Sequence, residues 1–72
     1  MRINHSALRV IRERTGYSQT KLAELSEIDR ANYAHIEAGR RPGTPEQIKS
    51  IATALQVPVD ALLGPARVEV VA

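Results

Sequence analysis

Cysteine is absent from the 72-residue chain. Neither a disulfide framework nor a thiolate metal site can therefore stabilise the fold. Apolar stretches fall far short of the roughly 18 residues that cross a bilayer, and no apolar segment follows the polar residues 1–6, so we expect no membrane partner, no secretory signal and a cytoplasmic location. The sequence also lacks a glycine-rich phosphate loop, a metal-ligand cluster and a nucleophile paired with a base. We therefore predict no enzyme activity, no metal and no cofactor.

The composition is that of one globular domain, residues 1–72, with 43% hydrophobic and 25% charged residues. The formal net charge is +2, but it is unevenly distributed. Residues 1–43 hold eight Lys and Arg against five Asp and Glu, a net +3, whereas residues 44–72 hold two against three, a net −1. A polyanionic partner is therefore expected to bind residues 1–43, which carry the excess positive charge.

Apolar residues that recur three or four positions apart, between helix-capping residues, predict an all-α domain of five short helices. The helices are expected over about residues 6–15, 18–26, 29–39, 44–55 and 58–63. The predicted N-terminal caps are Ser6, Ser18, Asp29 and Thr44, and Gly16 is predicted to cap the first helix at its C-terminus. The fourth helix has a full start signal, because Pro45 follows Thr44 and Gln47 completes a capping box.

The C-terminal segment has a different pattern. Val68, Val70 and Val71 alternate with polar residues, which is typical of a strand. An isolated strand needs a partner, so we expect a small two-stranded clip between this segment and residues 1–4.

The second and third helices are separated by only about three residues, which is typical of a DNA-binding helix-turn-helix motif. Ala23 supplies the small residue that lets the two helices pack closely, and the shared core is expected to hold Leu22, Ile28, Tyr33 and Ile36. With Tyr33 and Ile36 facing inward, the helical period turns the other side of the third helix outward. The residues predicted to read base edges in the major groove are Arg30, Ala31, Asn32 and His35.

The chain resembles the Xre/Cro-type helix-turn-helix family of phage repressors and bacterial regulators, which has a lambda-repressor-like fold. The resemblance covers residues 7–63 without a gap. It is carried by Leu8-Arg9, Arg12-Glu13, Gly16, Ser18-Gln19, Leu22-Ala23, Ile36-Glu37, Gly39-Arg40, residues 51–55 and Leu62-Leu63. The chain departs from the family pattern at Glu27, where the family commonly has a left-handed glycine, and at Tyr33, where it usually has an aliphatic residue.

The resemblance implies that Gln19 bonds a DNA phosphate and braces the third helix. It also implies an ion pair between Arg12 and Glu37, with Arg12 near a phosphate. Arg40 and Arg41, in the loop after the third helix, are expected to contact phosphates on the opposite side of the groove. The implied partner is a double-stranded DNA operator, and the implied function is a transcriptional regulator, expected to be a repressor.

A single recognition helix covers too few base pairs for specificity in a genome, so we expect a homodimer. Two surfaces are available: the fifth helix with Val57, Val59 and Leu62 or Leu63, which we prefer, and the valine segment at residues 68–71.

Other functions of the same fold stay open. The domain is also used by antitoxins and by restriction-modification controllers, and a protein-interaction module that has lost DNA binding is a further alternative. In that last case Arg30, His35, Arg40 and Arg41 would be ordinary solvated side chains.

Overall fold

The computed structural model describes residues 2–63, and within that range the chain is helical. The four α-helices are α1 (His5–Thr15), α2 (Gln19–Leu25), α3 (Arg30–Glu37) and α4 (Pro45–Leu55), and a 3₁₀ helix spans Val59–Leu62. The all-α prediction is confirmed for these residues. The fifth element differs from the expected α-helix, because its bonds run from Ala61 N–H to the Pro58 carbonyl and from Leu63 N–H to the Asp60 carbonyl, at 3.0 and 3.2 Å. A segment of four residues closes only this tighter i to i+3 pattern.

The helix N-termini follow the predicted caps with one exception. Ser18 and Asp29 accept hydrogen bonds from the first turns of α2 and α3, and Thr44 forms the predicted capping box with Gln47. The exception is α1, which begins at His5 because the Asn4 side chain, two residues before Ser6, accepts from Ala7 N–H at 3.1 Å. The prediction of Ser6 as this cap was wrong, since asparagine caps a helix as well as serine does.

The turn between α2 and α3 is a Schellman motif built around Glu27. The N–H of Ile28 donates to the Ala23 carbonyl at 2.9 Å and the N–H of Glu27 to the Glu24 carbonyl at 3.1 Å. This pattern requires a left-handed residue after the cap, and Glu27 adopts φ 57°. The glutamate therefore keeps the turn that a glycine would make, at the cost of strain that glycine avoids.

The core lies between the helices, with α4 packed against α2 and the 3₁₀ helix while α1 packs against α3. The four residues expected in the shared core of the helix-turn-helix motif are all buried, and Ala23 is 1% exposed at the α2–α3 contact. The largest fully buried side chains are Tyr33, Leu8, Leu22, Ile36, Ile48, Ile51 and Leu62.

The N-terminal segment is fixed to the end of the 3₁₀ helix. Ile3 is 6% exposed and forms a single antiparallel bridge with Leu63, and Asn4 N–H donates to the Leu62 carbonyl at 2.7 Å. The valine segment at residues 68–71 lies outside the described residues, so the terminal clip stays a prediction. No helix between residues 2 and 63 combines the length and the apolar character that spanning a membrane requires.

Candidate nucleic-acid interface

Helix α3 is anchored on one side and open on the other. Tyr33 and Ile36 face the core at 0% and 1% exposure. Of the residues predicted to read bases, Arg30 and Ala31 are exposed, and Asn32 and His35 are half-buried. The inward direction assigned from the sequence is therefore correct, and these side chains share the part of α3 that does not enter the core.

Asp29 fixes the first turn of this helix. Its Oδ2 accepts from the backbone N–H groups of Ala31 and Asn32 at 3.1 and 3.3 Å. The cap holds the turn that carries Arg30 to Asn32 at the surface, where the N-terminal end of the helix also has partial positive charge. An anionic partner approaching this end meets both the dipole and the Arg30 side chain.

The loop after α3 folds back onto the helix. The backbone N–H groups of Arg40 and Arg41 both donate to the His35 carbonyl, at 2.9 and 3.3 Å. Arg41 Nη1 then donates to Asn32 Oδ1 at 2.8 Å. The sequence predicted a phosphate contact for Arg41 and a base contact for Asn32, and the structure joins the two side chains. Asn32 Oδ1 keeps a second lone pair, so the carboxamide still offers both an acceptor and a donor.

The carboxylate of Glu37 is the centre of a buried hydrogen-bond network that ties α3 to the rest of the motif. Arg12 donates to it twice, from Nε to Oε1 at 2.8 Å and from Nη2 to Oε2 at 2.9 Å. Tyr33 donates its hydroxyl to Oε1 at 2.7 Å, and Gln19 donates Nε2 to Oε2 at 3.0 Å. The ion pair implied by the family resemblance is present, and the carboxylate has donors from α1, α2 and α3.

These contacts set the charge states of the network. Burial raises the pKa of the Glu37 carboxyl, but the hydrogen bonds from Arg12, Tyr33 and Gln19 outweigh it and hold that pKa below its ordinary value. The hydrogen bond to Glu37 raises the pKa of Arg12, and burial together with the bond to Glu37 raises the pKa of Tyr33. The ionised pair is thus the state that the fold stabilises at neutral pH.

Arg12 has little surface left for a phosphate. Its side chain is 13% exposed, and beyond Glu37 it donates Nη1 to the Tyr17 carbonyl at 2.8 Å. A guanidinium carries five N–H donors, so the bonds to Glu37 and Tyr17 leave two. The structure assigns Arg12 firmly to the network, and its phosphate contact stays a prediction.

Gln19 occupies the first position of α2, directly after the Ser18 cap. Its side chain points to Glu37, which matches the bracing role implied by the resemblance. Its backbone lies at the N-terminal end of the helix, where N–H groups lack partners within the helix. The phosphate contact of Gln19 stays a prediction.

Two features of the site were missed in the sequence. One is the hydrogen bond of the Tyr33 hydroxyl, because the sequence predicted only that the Tyr33 ring lies in the core. The spacing of Tyr33 and Glu37, four residues apart on one helix, is a signal that they share a face. The other is the bond between Arg41 and Asn32, for which no sequence pattern exists because it depends on how the loop folds. Among residues 2–63, no group of His, Asp or Glu side chains is arranged to hold a metal ion.

A profile of the helix-turn-helix domain family matches residues 6–63. Among solved structures, the chain is similar to the restriction-modification controller protein C.AhdI from Aeromonas hydrophila, with a TM-score of 0.79 and 36% sequence identity over 82% of this chain and 89% of that chain. No curated protein sequence matches the chain.

Proposed function

The chain belongs to the helix-turn-helix domain family of the Xre/Cro type, and from that premise we propose that it binds double-stranded DNA in a sequence-specific manner and regulates transcription by occupying an operator. In this proposal α3 enters the major groove. Arg30, Ala31, Asn32 and His35 read base edges, and Gln19, Arg40, Arg41 and the remaining N–H groups of Arg12 contact phosphates.

The observation that carries the proposal is the contrast between the two sides of α3. The inner side is fixed by buried Tyr33 and Ile36 and by the network around Glu37, whereas Arg30 and Ala31 project into solvent. A rigid helix with a polar face suits base recognition, because contact geometry must hold to a fraction of an ångström. Arginine pairs bidentately with guanine, asparagine pairs with adenine, and an alanine methyl group contacts the thymine methyl group.

A restriction-modification controller is the form of this function that a specific observation favours. C.AhdI, which is named as such a controller, is 36% identical to this chain in a match that covers 82% of this chain and 89% of C.AhdI. A restriction-modification controller and any other transcriptional regulator of this family would both bind DNA through the helix-turn-helix motif. Repression is the simplest outcome of operator occupancy.

We also propose that the working unit is a homodimer. Val59, in the 3₁₀ helix, and its neighbours Val57 and Leu63 are half-buried and pack against the core. Their exposed parts would supply the apolar contact. A two-fold dimer built there would place two copies of α3 on one side of the duplex. The operator is then an inverted repeat whose half-sites lie about 34 Å apart, one turn of DNA.

Selection of bound sequences from a random duplex pool tests the proposal. The wild-type protein is expected to enrich one inverted repeat. Arg30→Ala should relax the preference at one base pair in each half-site and cost about 1–3 kcal/mol for that sequence. Arg14→Ala is the matched control, because Arg14 is exposed at the far end of α1, and it should leave the selected sequence unchanged. Enrichment of no sequence would refute the proposal.

A further inference from the structure

A basic cleft lies between the N-terminal segment and the loop after α3. Arg2, His5, Arg40 and Arg41 line it, together with Gly39. No acidic residue lines the cleft, and within residues 2–63 none of its arginines forms an ion pair. Cationic side chains from two separate segments of the chain are thus held around one small space with no carboxylate between them.

The cleft is built by contacts that fix both of its walls. One wall is held by buried Ile3, by its bridge to Leu63 and by the bond from Asn4 to the Leu62 carbonyl. The other wall is held by the bonds of the Arg40 and Arg41 backbone to His35. The arginine backbones therefore need no large rearrangement to face a ligand together, which lowers the entropic cost of binding.

Gly39 brings the two walls together. It adopts φ +84°, and a Cβ at this position would lie 2.8 Å from His5 Nε2. The glycine therefore lets the imidazole of His5 lie directly against the backbone that leads into Arg40. Any side chain here would push the imidazole away from the loop.

The size of the cleft limits the ligand. Its volume is about 160 Å³, well below the roughly 300 Å³ at which small-molecule pockets begin. A single phosphate group is small enough for this space, and arginine forks match its oxygens. The exposed side of α3 is adjacent, because Arg41 also bonds Asn32.

We propose that this cleft binds one backbone phosphate of the DNA strand that flanks α3, with Arg2 and His5 acting alongside Arg40 and Arg41. The inference rests on the proposed function, since the phosphate is supplied by the bound duplex. It adds the N-terminal segment, for which the sequence predicted only the structural role of a terminal clip, to the DNA-binding surface. A free phosphate ion has the same chemistry, and the test separates the two sources.

The test measures duplex affinity by fluorescence anisotropy over a range of salt concentrations. Arg2→Ala is expected to weaken binding several-fold, equally for operator and random duplex. Because Arg40 and Arg41 still face the same phosphate, it should reduce the slope of log K against log salt by at most about 0.9. His5→Gln, which removes the imidazole and keeps an uncharged polar side chain, should weaken binding in the same sequence-independent way. Arg14→Ala is the control, because it removes the same charge as Arg2→Ala at a different place. Arg14 lies roughly 13 Å further along α1 than His5, which exceeds the Debye length of about 8 Å. Arg14→Ala should therefore leave the slope unchanged.

The outcomes distinguish the inference from the function beneath it. If the wild-type protein binds no duplex, the proposed function fails. If it binds but Arg2→Ala behaves like Arg14→Ala, only the cleft assignment is overturned. A parallel NMR titration follows the His5 ring resonances: we expect them to shift with duplex and not with inorganic phosphate at the same phosphate concentration. A larger shift with inorganic phosphate would reassign the cleft to a free anion and overturn the inference.

Discussion

Removing the Tyr33 hydroxyl tests whether the network around Glu37 stabilises the packing of α3. In Tyr33→Phe the ring still fills its buried site, and only the 2.7 Å bond to Glu37 Oε1 is lost. A hydrogen bond to a charged acceptor contributes about 1.5–3 kcal/mol to stability, whereas one to a neutral acceptor contributes about 0.5–1.5 kcal/mol. The same substitution in a Glu37→Gln background should therefore cost about 1 kcal/mol less.

The total stability of the domain decides which variants can be measured. At roughly 0.05–0.15 kcal/mol per residue, 72 residues give a free energy of unfolding of about 4–11 kcal/mol. Glu37→Gln leaves the Arg12 guanidinium, with its side chain only 13% exposed, without a charged partner, and breaking a buried pair costs about 3–5 kcal/mol. The single variant Tyr33→Phe should stay folded anywhere in this range of stability. The comparison of Tyr33→Phe with the wild type therefore does not depend on the more damaging Glu37→Gln variant.

The assay is urea denaturation of the wild type, both single variants and the double variant, with the slope m checked for constancy. Tyr17→Phe serves as the control, because Tyr17 is only half-buried, and it should change stability by less than about 0.5 kcal/mol. The reasoning is refuted if Tyr33→Phe costs no more than Tyr17→Phe. It is also refuted if Tyr33→Phe costs the same in both backgrounds.

Three further predictions follow from the same structure. Folding lowers the pKa of Glu37, so the unfolded chain binds a proton at this carboxyl more readily than the folded protein does. As the pH falls below about 4.3, the free energy of unfolding measured by urea denaturation should therefore drop by up to about 1.4 kcal/mol per pH unit. Glu37→Gln removes this carboxyl and should flatten the decline. Replacing Arg40 and Arg41 with Ala should weaken binding to all duplexes alike and reduce the salt slope by about 0.9 per lost contact, and a sequence-selective loss with an unchanged slope would contradict this. Glu27→Gly should stabilise the protein by about 0.5–1 kcal/mol by relieving the left-handed strain, whereas Glu24→Gly inside α2 should destabilise it by a similar amount, and equal signs would count against the strain argument.

Local signals explain why most of the fold was predictable from the sequence. Thr44, Pro45 and Gln47 specify the start of α4 through bonds within one turn, so no tertiary information is needed. The error at Ser6 arose where Asn4 offered an equally good cap two residues earlier. The 3₁₀ helix was mistaken for an α-helix because a four-residue segment carries too few residues for a helical period to be read.

The candidate site likewise has features that the sequence predicts and features that depend on the tertiary structure. The outward face of α3 follows from the helical period, because Tyr33 and Ile36 define the buried direction. The bond between Arg41 and Asn32 depends on the loop folding back to the His35 carbonyl, which no residue pattern encodes. Contacts between segments far apart in the sequence, such as His5 with Gly39, needed the structure.

The central claim, that α3 reads base edges in the major groove, is tested most directly by guanine methylation interference on the selected operator. Methylation at N7 changes a group displayed only in the major groove. We predict that it blocks binding at guanines in two symmetric half-sites about 34 Å apart. Arg30→Ala should abolish the interference at one guanine in each half-site. Binding that is insensitive to N7 methylation throughout, or an Arg30→Ala pattern identical to that of the wild type, would contradict the account.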